Sequence, residues 1–378
     1  MTMVTAEHET IRFLPRVVNR RNFSLKNRKL SIATLLFSVL LFTTYALGQG
    51  NQQFILQTSP GGATISGALP TYSSSFGNLD AFGVGTPASG VTAIRLANGE
   101  LFYTPLDFVM GNLQGHHPGS ITAYVSTNFT HPTAMILQAC PSNGTCSSSA
   151  GYSTLSTSAA APTAIVPTMN ELSTVTAGIA IFVPDNNGAG AFSGTDSATI
   201  TFVGTDARTG NPLNTVTLRF NSQSIVTALQ LTLSSATGGV TINAAADYSL
   251  ALGNVNGLGV GPGAGLSVIP TGSGVIYSTP YTLNPAFSNF TSTTGTIKAA
   301  VSTNFAHPAV LSLQTANAAA GPYSAISTVV ASPTVLATSV ASRAVITSYL
   351  GLLVSAANGG TAFNGSDSAT LTFTLTVP

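Results

Sequence analysis

Charged residues are the scarcest feature of this sequence: Asp, Glu, Lys and Arg together make up 6% of its 378 residues. Seven of the twelve basic residues lie ahead of Leu30, which leaves five basic against nine acidic residues from Gln49 onward, a net charge of −4. Binding to nucleic acid requires a basic surface that neutralises phosphates, and an anionic membrane surface has the same requirement. The composition therefore argues against nucleic-acid partners and against adsorption to such membranes.

Motifs for catalysis are also missing. The sequence has no Gly-x-Ser-x-Gly elbow, no His-Glu-x-x-His pair and no phosphate-binding loop, and nothing in it indicates a cofactor. Tryptophan is absent, which weakens a carbohydrate-binding function because sugar platforms favour Trp and Tyr, although ten tyrosines keep that function open. We therefore expect a protein that is not an enzyme.

The N-terminal residues 1–48 have the pattern of a signal peptide with a long basic segment. An apolar run at residues 30–47 follows that segment, and small residues at Ala46 and Gly48 predict cleavage after Gly48. Arg20 and Arg21 resemble the pair of the twin-arginine route, which is an alternative to general secretory export. A second alternative is an uncleaved anchor, since about 18 apolar or small residues just span a bilayer.

The rest of the chain carries an internal repeat. Residues 125–132, VSTNFTHP, recur as VSTNFAHP at residues 301–308, an offset of 176. Residues 192–199, FSGTDSAT, recur as FNGSDSAT at residues 363–370, an offset of 171. These matches indicate two copies of one structural unit.

The repeat predicts a domain organisation with three parts after the leader. The first copy covers residues 49–206 and the second covers residues 226–378. Between them, residues 207–225 combine a turn-rich stretch with an alternating run, TVTLRF, which predicts a connecting hairpin, with a free linker as the alternative.

Both cysteines lie in residues 138–152 of the first copy, a segment five residues longer than its counterpart, residues 314–323, in the second. In an oxidising compartment Cys140 and Cys146 are expected to form a disulfide that stiffens this loop. A ring this short removes little chain entropy, so we expect a stabilisation of about 2 kcal/mol.

The periodicity of the copies predicts β-structure. At the C-terminus, Ala369, Leu371, Phe373, Leu375 and Val377 alternate with threonines, as expected for a strand with one buried face. Ala198, Ile200 and Phe202 repeat this pattern in the first copy, and clusters of Gly, Pro, Asn and Ser separate the other strand candidates. The predicted fold is all-β, with two tandem antiparallel β-sandwiches whose architecture resembles bacterial fimbrial and immunoglobulin-like sandwiches. No motif assigns a family.

Histidines recur at matching places in the two copies. His131 and His307 each precede a proline, which favours a strand-end turn over a metal or ligand site. His116 and His117 lie in a Gly-rich loop of the first copy alone, where adventitious metal binding is the alternative to a plain loop.

Asp196 and Asp367 are the one clearly repeated pair of carboxylates. Each is expected to accept backbone N–H bonds in a turn before the last strand, and a weak calcium site with Asn186, Asn187 and Asn358 is the alternative. Sugar hydrolysis needs two carboxylates across one cleft, about 5 to 10 Å apart, which single residues in separate domains do not provide.

These features favour an exported structural or adhesive protein of a bacterial cell surface or extracellular matrix. The alternative is a secreted module that binds a glycan or another ligand. Expected partners are a surface glycan or protein, or further copies that associate through strand edges, with no membrane contact after cleavage of the leader.

Overall fold

The computed structural model describes residues 53–111, 118–244, 247–356 and 362–378, which form an all-β structure. The predicted signal peptide, His116, His117 and Asn358 lie outside these residues. Helical structure in the described ranges is limited to two single 3-10 turns, Ser149–Gly151 and Gly188–Gly190. No helix in the part of the chain that the structure describes is long and apolar enough to cross a membrane.

The strands fall into two halves. Those of the first half, residues 53–225, are β1 (Phe54–Thr58), β2 (Ser66–Ala68), β3 (Thr71–Ser74), β4 (Asn78–Leu79), β5 (Thr92–Leu96), β6 (Gly99–Met110), β7 (Gly119–Thr127), β8 (Ile136–Cys140), β9 (Ser153–Thr154), β10 (Thr163–Met169), β11 (Thr174–Pro184), β12 (Gly194–Asp206) and β13 (Pro212–Ile225). Those of the second half, residues 226–378, are β14 (Ala228–Ser235), β15 (Ile242–Ala244), β16 (Tyr248–Leu250), β17 (Ser267–Thr271), β18 (Gly274–Ser288), β19 (Thr294–Thr303), β20 (Leu311–Ala316), β21 (Ser324–Ala325), β22 (Thr334–Ala341), β23 (Ile346–Ser355) and β24 (Thr370–Thr376).

Each half stacks a front sheet on a back sheet. In the first half the front sheet has the order β1-β6-β11-β8-β9 with β5 on β6, and the back sheet has the order β10-β7-β12-β13-β3-β2 with β4 on β13. In the second half the front sheet has the order β14-β18-β23-β20-β21 with β17 on β18, and the back sheet is β22-β19-β24, beside a separate pair β15-β16. Among the described strands, all pairs are antiparallel except those of β13 with β3 and β4.

Alternation along the strands builds the core of the first half. In β7, Ile121, Ala123 and Val125 point inward, while the residues between them are partly exposed. Between the sheets, the Phe108 ring of β6 meets the Phe202 ring of β12 edge-on, with centroids 5.2 Å apart. The half is therefore a two-layer sandwich held by aromatic and aliphatic side chains.

The second half repeats this arrangement with a less complete core. Tyr281 of β18 meets Phe373 of β24 with ring centroids 6.0 Å apart. The predicted alternation along β24 is present, but only Leu375 is buried there, whereas Leu371 and Phe373 are half-buried. The equivalent residues of the first half, Ile200 and Phe202, are fully buried.

One expected solvent-facing residue is buried. Thr201 lies between Ile200 and Phe202 on the face of β12 that the alternation assigns to solvent, yet it is 5% exposed. Its hydroxyl donates a hydrogen bond of 2.8 Å to the Ser126 hydroxyl on β7, which satisfies the buried polar group.

The stretch at residues 207–225 is part of the first half. β13 forms a hairpin with β12, and residues such as Leu218 and Phe220 pair with Ile200 and Ala198 across the ladder. The connection between the copies therefore ends as a strand of the first back sheet. Independent folding of the two halves as domains stays a prediction.

The different burial of Phe202 and Phe373 predicts different costs of truncation. Phe202→Ala should lower the free energy of unfolding by about 3 to 5 kcal/mol, because it leaves a cavity in a closed core. Phe373→Ala, its matched control at the equivalent position, should cost clearly less because solvent already reaches that ring. Urea unfolding followed by circular dichroism measures both, and equal losses would contradict the difference in closure.

Candidate functional site

The recurring histidines and aspartates are bonded to each other. His131 donates its backbone N–H to Asp196 Oδ2 at 2.8 Å, and its Nδ1 lies 3.0 Å from the same oxygen. In the second half His307 makes the same two contacts with Asp367 Oδ2, at 2.9 and 3.0 Å. Each pair joins the turn that follows one back-sheet strand to the beginning of the strand beside it in the sheet.

A phenylalanine completes each pair. The His131 ring stacks on Phe192 with centroids 3.8 Å apart and planes 12° from parallel. The His307 ring stacks on Phe363 at the same distance, with planes 20° from parallel. We call this arrangement the Phe–His–Asp stack, and its two copies share one geometry.

Hydrogen bonds hold both carboxylates in the charged form. Burial alone raises the pKa of Asp196, but backbone N–H groups of Thr130, His131 and Ser197 and the His131 ring outweigh it and lower that pKa. The Ala306 N–H is the largest influence on Asp367; together with His307 and Ser368 it outweighs burial and lowers the pKa to about 2. The stack therefore works as a charged tie between loops, with the carboxylate oxygens already used as acceptors.

The residues predicted as alternative calcium ligands form hydrogen bonds with other groups of the protein. Asp196 Oδ1 accepts the Ser197 N–H at 2.7 Å, so both of its oxygens bind protein donors. Asn187 donates its side-chain N–H to the Phe287 carbonyl at 3.0 Å, and Asn186 donates to the Thr133 carbonyl. Among the described residues, no group of three His, Cys, Asp or Glu side chains could hold a metal ion. The calcium site stays a prediction.

A second cluster of charges lies where the halves meet. Arg343 of the second half forms an ion pair with Asp185 and donates a hydrogen bond to the Ala97 carbonyl of the first half. The guanidinium carbon of Arg343 lies 5.4 Å from the centroid of the Phe82 ring, and that of Arg95 lies 4.4 Å from it. We call these five residues the junction cluster.

Glu100 lies behind the junction cluster. It is 4% exposed, and its Oε2 has no hydrogen-bond partner, although Arg95 Nη1 lies 3.8 Å away. Burial raises the pKa of Glu100 to about 7, against the influence of Arg95 and with help from Asp80 and Asp185. Burial also raises the pKa of Asp185 to about 6, with Arg95 opposing the shift.

Backbone pairing adds to the junction. Asn187 and Phe290 form an isolated parallel bridge between the halves. The Gly188 N–H donates to the Phe290 carbonyl at 2.9 Å, and the Asn289 N–H donates to the Asn186 carbonyl at 2.5 Å. Backbone contacts of this kind hold the two halves in one relative position.

The first half also has a shallow groove of about 370 Å³. Its lining is mostly of hydroxyl and amide side chains: Thr64, Ser66, Ser73, Ser74, Ser75, Ala88, Ser89 and Asn221. Such a surface can exchange hydrogen bonds with a polar ligand, but it offers no aromatic platform for a sugar ring.

The predicted disulfide between Cys140 and Cys146 is confirmed, with Cα atoms 5.5 Å apart. It closes the loop after β8, and the Tyr152 hydroxyl donates a hydrogen bond of 3.1 Å to the Cys146 carbonyl. The Tyr152 ring packs beside Tyr103, with centroids 5.4 Å apart. The loop is thereby fastened to the outer face of the front sheet.

No protein-family model matches the chain, and no curated protein sequence matches it. Among solved structures it is similar to the CupB6 tip adhesin of Pseudomonas aeruginosa, with 9% identity, a TM-score of 0.30, and coverage of 86% of this chain and 95% of that one. A chaperone–tip adhesin complex of CFA/I fimbriae biogenesis gives 12% identity, a TM-score of 0.21, and coverage of 86% and 84%.

The secreted serine protease VesC of Vibrio cholerae is also similar, with 9% identity, a TM-score of 0.18, and coverage of 76% of this chain and 51% of that one. All these scores are too low for the likenesses to support a function.

The sequence singles out the histidines and aspartates of the Phe–His–Asp stack, but not its phenylalanines and not the contacts among the three. The signal was present, because the histidine and the aspartate of each copy recur together, together with a phenylalanine four residues before each aspartate. Nothing in the sequence alone pointed to the junction cluster, since Arg95, Asp185 and Arg343 belong to no repeated motif.

The lowered pKa of Asp367 predicts acid sensitivity with a defined sign. A carboxylate whose folded pKa is about 2 stabilises the fold above its ordinary value of 3.8, and this contribution disappears as the pH falls from about 4 to 2. Asp367→Asn should therefore lower the thermal unfolding midpoint at pH 7 and flatten its decline below pH 4. Circular dichroism measures it, with Asp247→Asn at an exposed carboxylate as control; an unchanged acid profile would contradict the tie.

The raised pKa of Glu100 predicts the opposite sign. Because its folded pKa, about 7, exceeds the ordinary 4.5, the fold is most stable with this group protonated and loses stability as the pH rises from about 4.5 to 7. Glu100→Gln mimics the protonated form, so it should remove that loss. Thermal unfolding between pH 4 and 8 tests this, with Glu171→Gln as control; a parent profile that does not decline over this range would refute it.

Proposed function

We propose that this chain is an exported structural or adhesive protein of a cell surface or extracellular matrix, that it has no catalytic activity, and that residues 49–206 and 226–378 are its two domains. The observation that carries this proposal is the way in which the halves contact each other. Their contact is head to tail, because it uses different surfaces of the two copies.

Equivalent positions make the asymmetry visible. Arg343 lies in the turn between β22 and β23, and the offset of 171 places Leu172 at the same position between β10 and β11. Both residues have left-handed backbone, with φ of 64° at Arg343 and 51° at Leu172. The turn of the second half that carries Arg343 therefore has a close counterpart in the first half.

The surface that Arg343 contacts also has a counterpart. Asp80 Oδ1 accepts the N–H groups of Phe82 and Val84 at 2.6 and 3.3 Å and so shapes the loop that presents Phe82. The offset of 176 places Asn256 at the equivalent position, and its Oδ1 accepts the N–H groups of Leu258 and Val260 at 3.0 and 3.2 Å. Leu258 thus takes the place of Phe82.

A two-fold arrangement would make this contact twice and bury Leu172 against Leu258. Instead, Leu172 is 71% exposed, Leu258 is 85% exposed and Val260 is 67% exposed. The chain therefore has an apolar turn from the first copy and an apolar loop from the second, both uncovered. Contacts between unlike surfaces extend into open assemblies, and this suits a protein that builds or coats a surface.

Other features support the same function. In both Phe–His–Asp stacks the carboxylate oxygens and the histidine Nδ1 make hydrogen bonds within the protein, as expected for a structural role. The disulfide suits an oxidising compartment outside the cytoplasm, in agreement with export of the chain. A secreted glycan-binding module is the second candidate, and the hydroxyl-lined groove of about 370 Å³ is the observation that favours it.

Self-association tests the proposal. The protein that begins at Gln49 should form elongated oligomers as its concentration rises, visible by sedimentation velocity and electron microscopy. Leu258→Asn with Val260→Asn should abolish them, because asparagine removes the apolar area that end-to-end stacking buries.

Val329→Asn with Val330→Asn is the matched control, since these valines are 57% and 58% exposed in a different loop. Oligomers that persist in the Leu258 and Val260 variant would show that this loop is not the contact. A monomer at all concentrations that is retained on a glycan array would overturn the structural function in favour of the binding module.

A further inference from the structure

The apolar loop of the second half, residues 256–261, is held by hydrogen bonds within itself. Asn256 Oδ1 accepts the N–H groups of Leu258 and Val260, and its Nδ2 donates to the Val260 carbonyl at 2.7 Å. Both polar atoms of the amide are therefore used inside the loop, in the manner of an Asx turn. Leu258 and Val260 nevertheless remain exposed, so the loop presents apolar side chains on an ordered backbone.

The Tyr277 hydroxyl of β18 fastens this loop to the front sheet. The Tyr277 side chain is fully buried, and its hydroxyl donates to the Asn256 carbonyl at 2.8 Å and accepts the Asn256 N–H at 3.0 Å. Behind the loop, Gly259 has left-handed backbone with φ of 72° and lies so close to the sheet that a Cβ there would stand 2.6 Å from Val268 Cγ1. One buried hydroxyl and one close backbone contact thus hold the loop in place.

The corresponding loop of the first half is held in another way. The offset of 175 along β6 and β18 places Phe102, which has no hydroxyl, at the position of Tyr277. That loop is instead shaped by Asp80, and its Phe82 ring is in contact with Arg343. The loop that meets a partner within the chain therefore lacks the tyrosine tether, whereas the exposed loop has it. A binding surface that is ordered before it binds loses less conformational entropy in the complex.

The charges of the junction are replaced together at the two exposed surfaces. Offsets of 171 and 175 match each charged residue there with an uncharged one: Arg343 with Leu172, Asp185 with Ala356, Arg95 with Pro270 and Glu100 with Val275. An arginine that faced the apolar loop would find neither of these carboxylates, and a leucine that faced the junction would leave Asp185 without its partner from the second half. The apolar turn at residues 170–173, which carries Leu172, therefore matches the apolar loop and not the charged surface.

The apolar turn is ordered as well. Ser173 donates its side-chain hydroxyl to the Asn170 carbonyl at 2.5 Å, and its own carbonyl accepts the Met110 N–H of β6 at 3.0 Å. Leu172 lies between Asn170 and Ser173 with left-handed backbone and is 71% exposed. Turn and loop are thus two preformed surfaces, each with an exposed leucine.

We propose that the apolar loop receives the apolar turn of a second copy of this chain, and that the Tyr277 hydroxyl positions the loop for this contact. The contact repeats between chains the arrangement of Arg343 and Phe82 within the chain, with leucine and valine side chains in place of the charged and aromatic ones. Tyr277 is a positioning residue, because its buried hydroxyl acts through the backbone of Asn256. The inference rests on the proposed function and adds the pairing of turn with loop and the residue that orders the loop.

Mixing two variants tests the pairing of turn and loop. Leu172→Asn keeps the loop, and Leu258→Asn with Val260→Asn keeps the turn, so each variant alone should be monomeric. Mixed in equal amounts they should form a dimer, detected by sedimentation velocity, because one intact surface remains on each chain. Val84→Asn is the matched control, since it removes a 53% exposed valine from the first-half loop and should assemble like the parent. A mixture that remains monomeric would overturn the pairing.

Tyr277→Phe tests the positioning residue, since phenylalanine stands at the equivalent position of the first half. Loss of two hydrogen bonds to the loop should speed hydrogen exchange of the Leu258 and Val260 amides in the dilute monomer about tenfold and weaken self-association about tenfold. Tyr281→Phe, on the same strand and 3% exposed, is the matched control, because its hydroxyl bonds to side chains of β20 and β23. It should change neither quantity.

A second variant separates failure of this inference from failure of the proposed function. Asn256→Ala removes the side-chain bonds of the loop at an exposed residue, so it should act like Tyr277→Phe and decides the result if that variant does not fold. If the parent assembles and neither variant weakens assembly, Tyr277 does not position the contact and the inference alone is wrong. If the parent is monomeric at every concentration, the proposed function is wrong and the inference falls with it.

Discussion

Every strand of this protein must satisfy two requirements at once: its backbone needs a partner along each edge, and its apolar face needs a second layer. The first half meets both, with Phe108 and Phe202 in contact between its sheets and β13 covering the edge of β12. In the second half β24 has a partner on one side among the described residues, and its inward residues remain half-buried. Satisfaction of strand edges therefore controls how completely each core is closed.

Much of the fold could be predicted, because a strand that buries every second side chain shows an alternation of apolar and polar residues in its sequence. The alternation at Ala198, Ile200 and Phe202 and its copy along β24 predicted strands that the structure contains, and the cysteine spacing predicted the disulfide. Depth of burial could not be predicted. Thr201 is buried although the alternation assigns it to solvent, and the Ser126 hydroxyl on β7 that accepts its hydrogen bond belongs to no local pattern.

The candidate sites were predictable only in part, for a related reason. The residues of the Phe–His–Asp stack recur in the sequence, but the bond between His131 and Asp196 spans 65 positions and depends on the order of the strands. The junction cluster follows from differences between the copies. The offset of 171 pairs Arg343 with Leu172, and the offset of 175 along β6 and β18 pairs Glu100 with Val275. Positions at which the copies exchange charge for an apolar residue thus mark where the halves meet.

The strand that closes the first half lies outside the repeat. The matched sequence ends within β12 and β24, whereas β13 belongs to the stretch that joins the copies. The back sheet of the first half is therefore completed by a strand from the stretch that joins the copies. An exposed apolar edge is ordinarily a liability that leads to unspecific pairing. In the first half β13 removes this liability at the edge of β12, because its inward residues Val216, Leu218 and Phe220 match Phe202, Ile200 and Ala198 in both spacing and direction.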